Sequence, residues 1–321
     1  MCAEPAALHR PVLLAECVAL LGVRPGGVYV DATVGEGGHT SAILAASAPD
    51  GRVIGLDRDP TAIASVRASL APFGDRFEAR HGRFGDLLAL VPEPVDGVLM
   101  DLGVRSPQLD QAERGFSFLR DGPVDMRMNP DEGLSAAELL DTLDLDGLTA
   151  ILRDLGEEPR ARQIARAILA GRPWTSTLAL ADTVARASGY HGGRTHPATR
   201  TFQALRMAVN DELGELERGV EAAFARVRPG GRIVIISFHS LEDRYVKRRL
   251  REAAGVGTPR DGYGHPVTPP TARLLEPGGL DGKTLDSENP RARSARARAV
   301  EVLPPTRGSD ASGARNGRSA G

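Results

Sequence analysis

The residues best suited to chemistry stand at the ends of apolar runs. Val28-Tyr29-Val30-Asp31 leads through Ala32-Thr33-Val34 into Gly35-Glu36-Gly37-Gly38-His39-Thr40, and a helical stripe with Ile43 and Leu44 follows. Arg52-Val53-Ile54-Gly55-Leu56-Asp57 and Val95-Asp96-Gly97-Val98-Leu99-Met100-Asp101 also end in acids. A strand that stops in glycines at a helix N-terminus presents backbone N–H groups to a ligand. Glycine allows the tight turn, and a β-carbon there would block the ligand's approach. Taken alone, this stretch fits a nucleotide-like ligand and an ordinary βα turn equally well. Asp57, at the end of the next strand, is placed to accept both ribose hydroxyls of a nucleoside, and its charge disfavours a 2′-phosphate. The alternative is a strand-end acid that caps the next helix, a role that Asp59 fits better. Phe84, after the third strand, offers either a face for an adenine ring or a ring for the core.

Two ligands suit such a turn. The dinucleotide pattern G-x-G-x-x-G requires a third glycine for close helix–strand packing, and Thr40 occupies that position. A nicotinamide oxidoreductase is therefore disfavoured. The acid before the loop, Asp31, suits S-adenosylmethionine, whose ammonium and sulfonium favour nearby carboxylates. Asp101 and its loop fall where such a cofactor meets its acceptor. A base amine is a poor nucleophile because its lone pair is delocalised into the ring. An oxygen that accepts its N–H, from Asp101 or the Leu102 carbonyl, would help it attack a methyl group. A structural turn acid is the plainer reading of Asp101. His39, His196 and His239 show no metal-ligand spacing, and a satisfied or surface histidine is the default for each. Phe238-His239-Ser240 lacks the glycines of a nucleophile elbow.

The elements that must position these residues alternate between strand and helix. Strands are expected at 28–31, 52–57, 77–81, 95–101, 231–238 and 295–303. A short helix is expected over 15–21, and another starts at Asp59-Pro60 with an N-cap and a first-turn proline. This order predicts a parallel α/β sheet with helices on both faces and ligands beyond the carboxyl ends of the strands. From Leu102 the pattern changes. Ser135-Ala136-Ala137-Glu138 reads as a capping box, and helical stripes follow over 148–155, 160–169, 178–187 and a long 197–227. The expected organisation is a core of residues 1–112 and 206–303, a helical domain inserted over 113–205, an irregular connection over 255–285 and a disordered tail over 304–321.

Composition narrows the partners. Net charge is −2, with 40 basic and 42 acidic residues, so a uniformly basic nucleic-acid coat is excluded. Basic clusters do occur: Arg160, Arg162 and Arg166; Arg194, His196, Arg200 and Arg206; Arg244, Lys247, Arg248, Arg249 and Arg251; and Arg291, Arg293, Arg296 and Arg298. Each alone reads as a solvated face, and together around one cleft they point to phosphate contacts. The two cysteines, Cys2 and Cys17, suggest neither a disulfide framework nor a zinc site. No signal peptide is read at the N-terminus, and no stretch approaches the roughly 18 apolar residues of a membrane helix. A cytoplasmic protein is expected.

The motifs together resemble the ribosomal RNA small subunit methyltransferase H family. The resemblance is carried by Gly35-Glu36-Gly37-Gly38-His39-Thr40, Asp57-Arg58-Asp59-Pro60, Met100-Asp101-Leu102-Gly103-Val104, Ser106-Pro107-Gln108-Leu109-Asp110 and Arg114-Gly115-Phe116-Ser117-Phe118. It continues in Asp125-Met126-Arg127-Met128, in Thr195-His196-Pro197-Ala198-Thr199-Arg200-Thr201-Phe202-Gln203-Ala204-Leu205-Arg206, in Ser237-Phe238-His239-Ser240-Leu241-Glu242-Asp243-Arg244 and in Asn289-Pro290-Arg291-Ala292-Arg293-Ser294. The resemblance implies a class I, Rossmann-like methyltransferase sheet with an inserted helical substrate-recognition domain. It implies methylation of N4 of a cytidine in the decoding region of 16S ribosomal RNA, within the small ribosomal subunit, with S-adenosyl-L-methionine as cofactor. Carried over by position, Gly37, Gly38, His39, Asp57, Phe84, Asp101 and Gln108 contact the cofactor, and Asp101 is the catalytic candidate. No metal is implied, and the oligomeric state is left open, a homodimer included. The family has two serines before the Pro-Gln-Leu-Asp, and here the first is Arg105. The Asp/Asn-Pro-Pro-Tyr signature of many amino-methyltransferases is also absent. A non-catalytic RNA-binding or assembly protein on the same fold is the competing reading.

Overall fold

The computed structural model describes residues 10–189, 196–264 and 266–305. Its centre is one sheet of strands β1 (Val28–Asp31), β2 (Arg52–Asp57), β3 (Phe77–His81), β4 (Val95–Asp101), β5 (Val227–Ser237), β6 (Ala272–Leu274), β7 (Leu280–Asp281) and β8 (Arg296–Val302). The order is β3-β2-β1-β4-β5-β8-β6, with β7 also paired to β8. Strands β1 to β5 run parallel, and β8 runs antiparallel to β5. Strand order reverses between β1 and β4, which is where open α/β sheets leave a crevice for ligands. The register brings Asp31 level with Leu99 and Gly55, Asp57 level with His81, and Asp101 level with Ile236. All three strand-end acids therefore lie along one edge. The expected α/β sheet is present.

Successive side chains of a strand point to opposite faces, and the core follows that alternation. Val30, Val98, Met100, Ile233 and Ile235 pack on one face with Leu216 and Val220. Tyr29, Leu99, Val234 and Ile236 pack on the other with Leu13, Leu21, Ile43 and Leu44. A third cluster lies wholly between β4 and β5 in sequence, and includes Leu140, Leu148, Leu152, Ile164, Ile168, Val184 and Leu205. Its helices begin as their sequences dictate. Ser135 and Glu138 form the capping box of Ala136–Thr142, and Asp144 and Ser176 cap Leu145–Asp154 and Thr177–Ala187. No described helix is long and apolar enough to cross a membrane.

Two expectations need correction. The single helix over 197–227 is two, Ala198–Asn210 and Glu212–Arg226, broken at Asp211 with φ +50°. Aspartate tolerates the left-handed region better than most residues. The apolar stripe continues across the break, so periodicity cannot reveal it. The Asn210 amide also fixes the break, bonding the Met126 carbonyl and the Met128 amide at 2.8 Å each. The connection over 255–285 is not wholly irregular. It contains β6, β7 and the short helix Gly282–Leu285, elements too brief for a period to register. The tail expected to be disordered lies, from residue 306 on, outside the described residues.

Candidate active site

A cavity of about 1150 Å³ opens at the carboxyl ends of the strands. Gly35 to His39 after β1, Asp57 of β2, Phe84 after β3, Asp101 to Arg105 after β4, and Phe238, His239 and Glu242 after β5 line it. Phe118, His196, Phe202 and Arg206 close it from the helical segment. Ordinary small-ligand pockets hold about 300–1,000 Å³, so this one has room for a cofactor and part of a second molecule.

The glycine turn has a different rationale from the one read in the sequence. Gly37 sits at φ +83° as the residue capping the helix Gly38–Ala46, and a β-carbon there would lie 2.7 Å from Val66 Cγ2. At Gly38 the obstacle would be Pro11 Cγ, at 2.3 Å. Close packing of the protein on itself, not ligand approach alone, requires these glycines. Thr40 has a purpose as well. Its hydroxyl donates to Asp31 Oδ2 at 2.7 Å, tying the helix to the end of β1. Asp31 is 1% exposed and is not among the cavity-lining residues, so it does not meet a cationic ligand directly.

Asp57 lines the cavity and also braces the loops around it. Its Oδ2 accepts from the Gly35 amide at 3.0 Å, and its Oδ1 accepts from the Asp59 amide at 2.9 Å. Burial pushes its carboxyl up, against the opposing effects of Arg105 and the two amides. Each oxygen keeps a lone pair for a hydroxyl donor. Phe84 seats its ring edge on Gly219 and also lines the cavity. Gln108 is 3% exposed; its Oε1 accepts from the Arg105 amide at 3.0 Å and its Nε2 donates to Asp59 Oδ2 at 3.4 Å.

Asp59 is the residue whose reach the sequence did not disclose. It caps the helix Pro60–Ser69 as expected, accepting from the Thr61 amide at 2.9 Å. Its fully buried carboxylate also pairs with Arg105 and, at 3.1 Å, with Arg114. The unusual Arg105 thus lines the cavity and ends in an ion pair with Asp59. Burial works to raise the Asp59 carboxyl, but the Thr61 hydroxyl, Arg105, the Thr61 amide and Arg114 outweigh it, so the group lies below its ordinary value. A carboxyl depressed on folding contributes stability above its unfolded value and loses it as pH falls through its folded value. Urea titrations from neutral to acid pH should show this acid-side loss, with a shallower slope in Asp59→Asn. Arg105→Ser leaves Arg114 on Asp59. It should cost about 1–3 kcal/mol, below the full price of breaking a buried pair, seen as a lower midpoint in the same titrations.

Asp101 and His39 face each other across the cavity floor. The Asp101 amide donates to Thr33 Oγ1 at 2.7 Å, which fixes the strand end. His39 Nε2 lies 3.5 Å from Asp101 Oδ2. Neither ring nitrogen of His39 makes a hydrogen bond, and buried Asp101 Oδ1 makes none either. His39 is thus no surface histidine, and its partner is the Asp101 carboxylate. Burial lowers its imidazole, but Asp101 and the charge of Asp31 raise it further, to a net position above the ordinary value.

The opposite wall went unread in the sequence. Arg206 grips Glu212 through two bonds of 2.7 and 2.8 Å, across the helix break at Asp211. His239 Nε2 lies 3.1 Å from Glu242 Oε1. Burial acts to raise the Glu242 carboxyl, but His239, the Phe238 amide and Arg206 bring it below its ordinary value. Glu212, His239 and Glu242 bring their ligand atoms within 4.8 Å of one another. Arg206 already engages Glu212, and His239 caps its helix by accepting through Nδ1, which leaves the proton on Nε2. The group is an ion-pair network in this state rather than a set of free metal ligands. Several arginines of the basic clusters are paired as well: Arg298 with Asp243, Arg249 with Glu221, and Arg244 with Glu157. Arg206 and Arg291 line the cavity.

The MraW methylase family matches residues 6–303. Three relatives are similar to the chain over nearly their whole length, each named ribosomal RNA small subunit methyltransferase H. That of Geobacter sulfurreducens is 50% identical, covering 92% of this chain and 99% of its own. That of Halorhodospira halophila is 49% identical, covering 94% and 98%. That of Trichlorobacter lovleyi is 48% identical, covering 92% and 98%.

Proposed function

The chain belongs to the MraW methylase family, and on that premise we propose that it methylates N4 of a cytidine in the decoding region of 16S ribosomal RNA, using S-adenosylmethionine. The names of the relatives support a small-subunit ribosomal RNA as the substrate. When bound, S-adenosylmethionine supplies an electrophilic methyl group on a sulfonium. The residues present fit it: a strand-end carboxylate at Asp57 for the ribose, Phe84 lining the same cavity, and the Asp101 carboxylate for a cation. Asp57, Phe84, Gly37, Gly38 and Gln108 would hold the cofactor, and the helical segment over 113–205 would recognise the RNA.

One observation carries the reading. Asp101 Oδ1 is a buried carboxylate oxygen with no hydrogen-bond partner, on a group that lines the cavity. A cytosine amine has N–H bonds to donate and a lone pair tied up in the ring. The Asp101 carboxylate accepts one N–H, draws the lone pair back toward nitrogen, and takes the proton as the new N–C bond forms. Methylation at a ring carbon would instead call for a thiolate nucleophile. Cys17 is 1% exposed, its thiol is pushed well up by burial and by the charges of Asp101 and Glu16, and no described cysteine lines the cavity. An exocyclic nitrogen is the better-supported acceptor.

Purified protein should transfer labelled methyl groups to undermethylated small ribosomal subunits, with the label recovered in 16S rRNA. Cofactor binding with no label on the RNA would favour the binding-protein alternative.

A further inference from the structure

We propose that His39 is the positioning residue of the transfer centre: its ring faces Asp101 Oδ2 and orients the carboxylate that takes the acceptor's proton. The inference rests on the role given to Asp101 above and extends it to a residue that the family resemblance places only against the cofactor.

The geometry divides the two oxygens. Oδ2 lies 3.5 Å from His39 Nε2, and Oδ1 is buried without a partner. The His39 side chain is 6% exposed, on the first turn of Gly38–Ala46, and lines the cavity. The charged groups acting on it are Asp31 from β1 and Asp101 from β4. Asp31 is held by Thr40 and Thr33, which are neutral. Among the described residues no lysine or arginine pairs with Asp31 or Asp101, so an imidazolium at His39 is the counter-charge available to both. Burial raises the Asp31 carboxyl, the charge of His39 works to lower it, and that of Asp101 works to raise it.

The consequence follows the reaction's balance. The N4–CH3 bond forms as the methyl–sulfur bond breaks, the electron pair stays on sulfur, and the N4 proton passes to the Asp101 carboxylate. This requires that carboxylate to be held in place at the cavity before transfer. His39 meets the requirement without touching the substrate.

Three measurements test this. His39→Ala should lower kcat by about 10- to 100-fold, less than the roughly 10²- to 10⁴-fold of losing the acid–base group itself, with cofactor Kd and RNA KM little changed. His39→Gln, whose amide can reach the same oxygen, should recover much of the rate. His39→Ala combined with Asp101→Asn should be no slower than Asp101→Asn alone, because coupled sites are not additive. Independently of activity, NMR of the imidazole in the full chain should find His39 charged at a pH where a free imidazole is neutral. Asp101→Asn should abolish that charge while the fold persists. An unchanged kcat in His39→Ala, a loss confined to cofactor affinity, additive double-variant effects, or an imidazole indifferent to Asp101→Asn would each overturn the proposal. If the parent transfers no methyl group at all, the proposed function fails, and the NMR experiment still decides whether His39 and Asp101 are coupled.

Discussion

Asp101→Asn is expected to lower methyl-transfer turnover by about 10²- to 10⁴-fold, the range for a lost acid–base group. Affinity for cofactor and for RNA should change little. The reason is local. The backbone of Asp101 is fixed by the Thr33 hydroxyl and by the strand pairing of β4 with β1 and β5, so the site keeps its shape when the carboxylate becomes an amide. What is lost is the acceptor that frees the amine lone pair. An asparagine still has one acceptor oxygen, so Asp101→Ala should be at least as slow. Rapid-quench turnover, beside cofactor calorimetry and RNA binding, reads all three quantities. Equal losses in rate and RNA affinity would make Asp101 a structural acid.

Asp57→Ala is expected to weaken cofactor binding by about 100-fold or more, because two hydroxyl-to-carboxylate hydrogen bonds contribute about 1.5–3 kcal/mol each. The same carboxylate accepts from the amides of Gly35 and Asp59, so part of the loss arises through a loosened turn. Asp57→Asn keeps an acceptor for one of those amides. It should recover melting temperature more fully than cofactor affinity. Calorimetry showing unchanged affinity in Asp57→Ala would remove Asp57 from the ribose role.

The strand ends were legible because the sequence marks them twice, by an apolar run and by the acid that stops it. Asp31, Asp57 and Asp101 stand on one edge of the sheet for that reason. The caps of Asp59 and Ser135 were legible because a cap is a short-range event. Long-range pairs carry no such local mark. Nothing near Asp59 in sequence announces Arg105 or Arg114, and nothing near Arg206 announces a break in the helix that turns Glu212 back onto it. Arg291 and Arg293 lie in the short helix Pro290–Ser294, before the strand that carries Arg296 and Arg298. The four arginines of that cluster therefore belong to two elements rather than to one strand face. His39 was the instructive miss. Its neighbours in sequence are two glycines and a threonine, and the charges acting on it in space are two carboxylates.

The most direct measurement is the identity of the methylated nucleoside. Small ribosomal subunits lacking the modification are incubated with the protein and labelled S-adenosylmethionine, and the 16S rRNA is digested and analysed by mass spectrometry. N4-methylcytidine from a single decoding-region fragment, absent with Asp101→Asn, is the expected result. Methyl label on a ring carbon, on ribose, or on another base would contradict the role assigned to Asp101 and the acceptor assigned to the cavity.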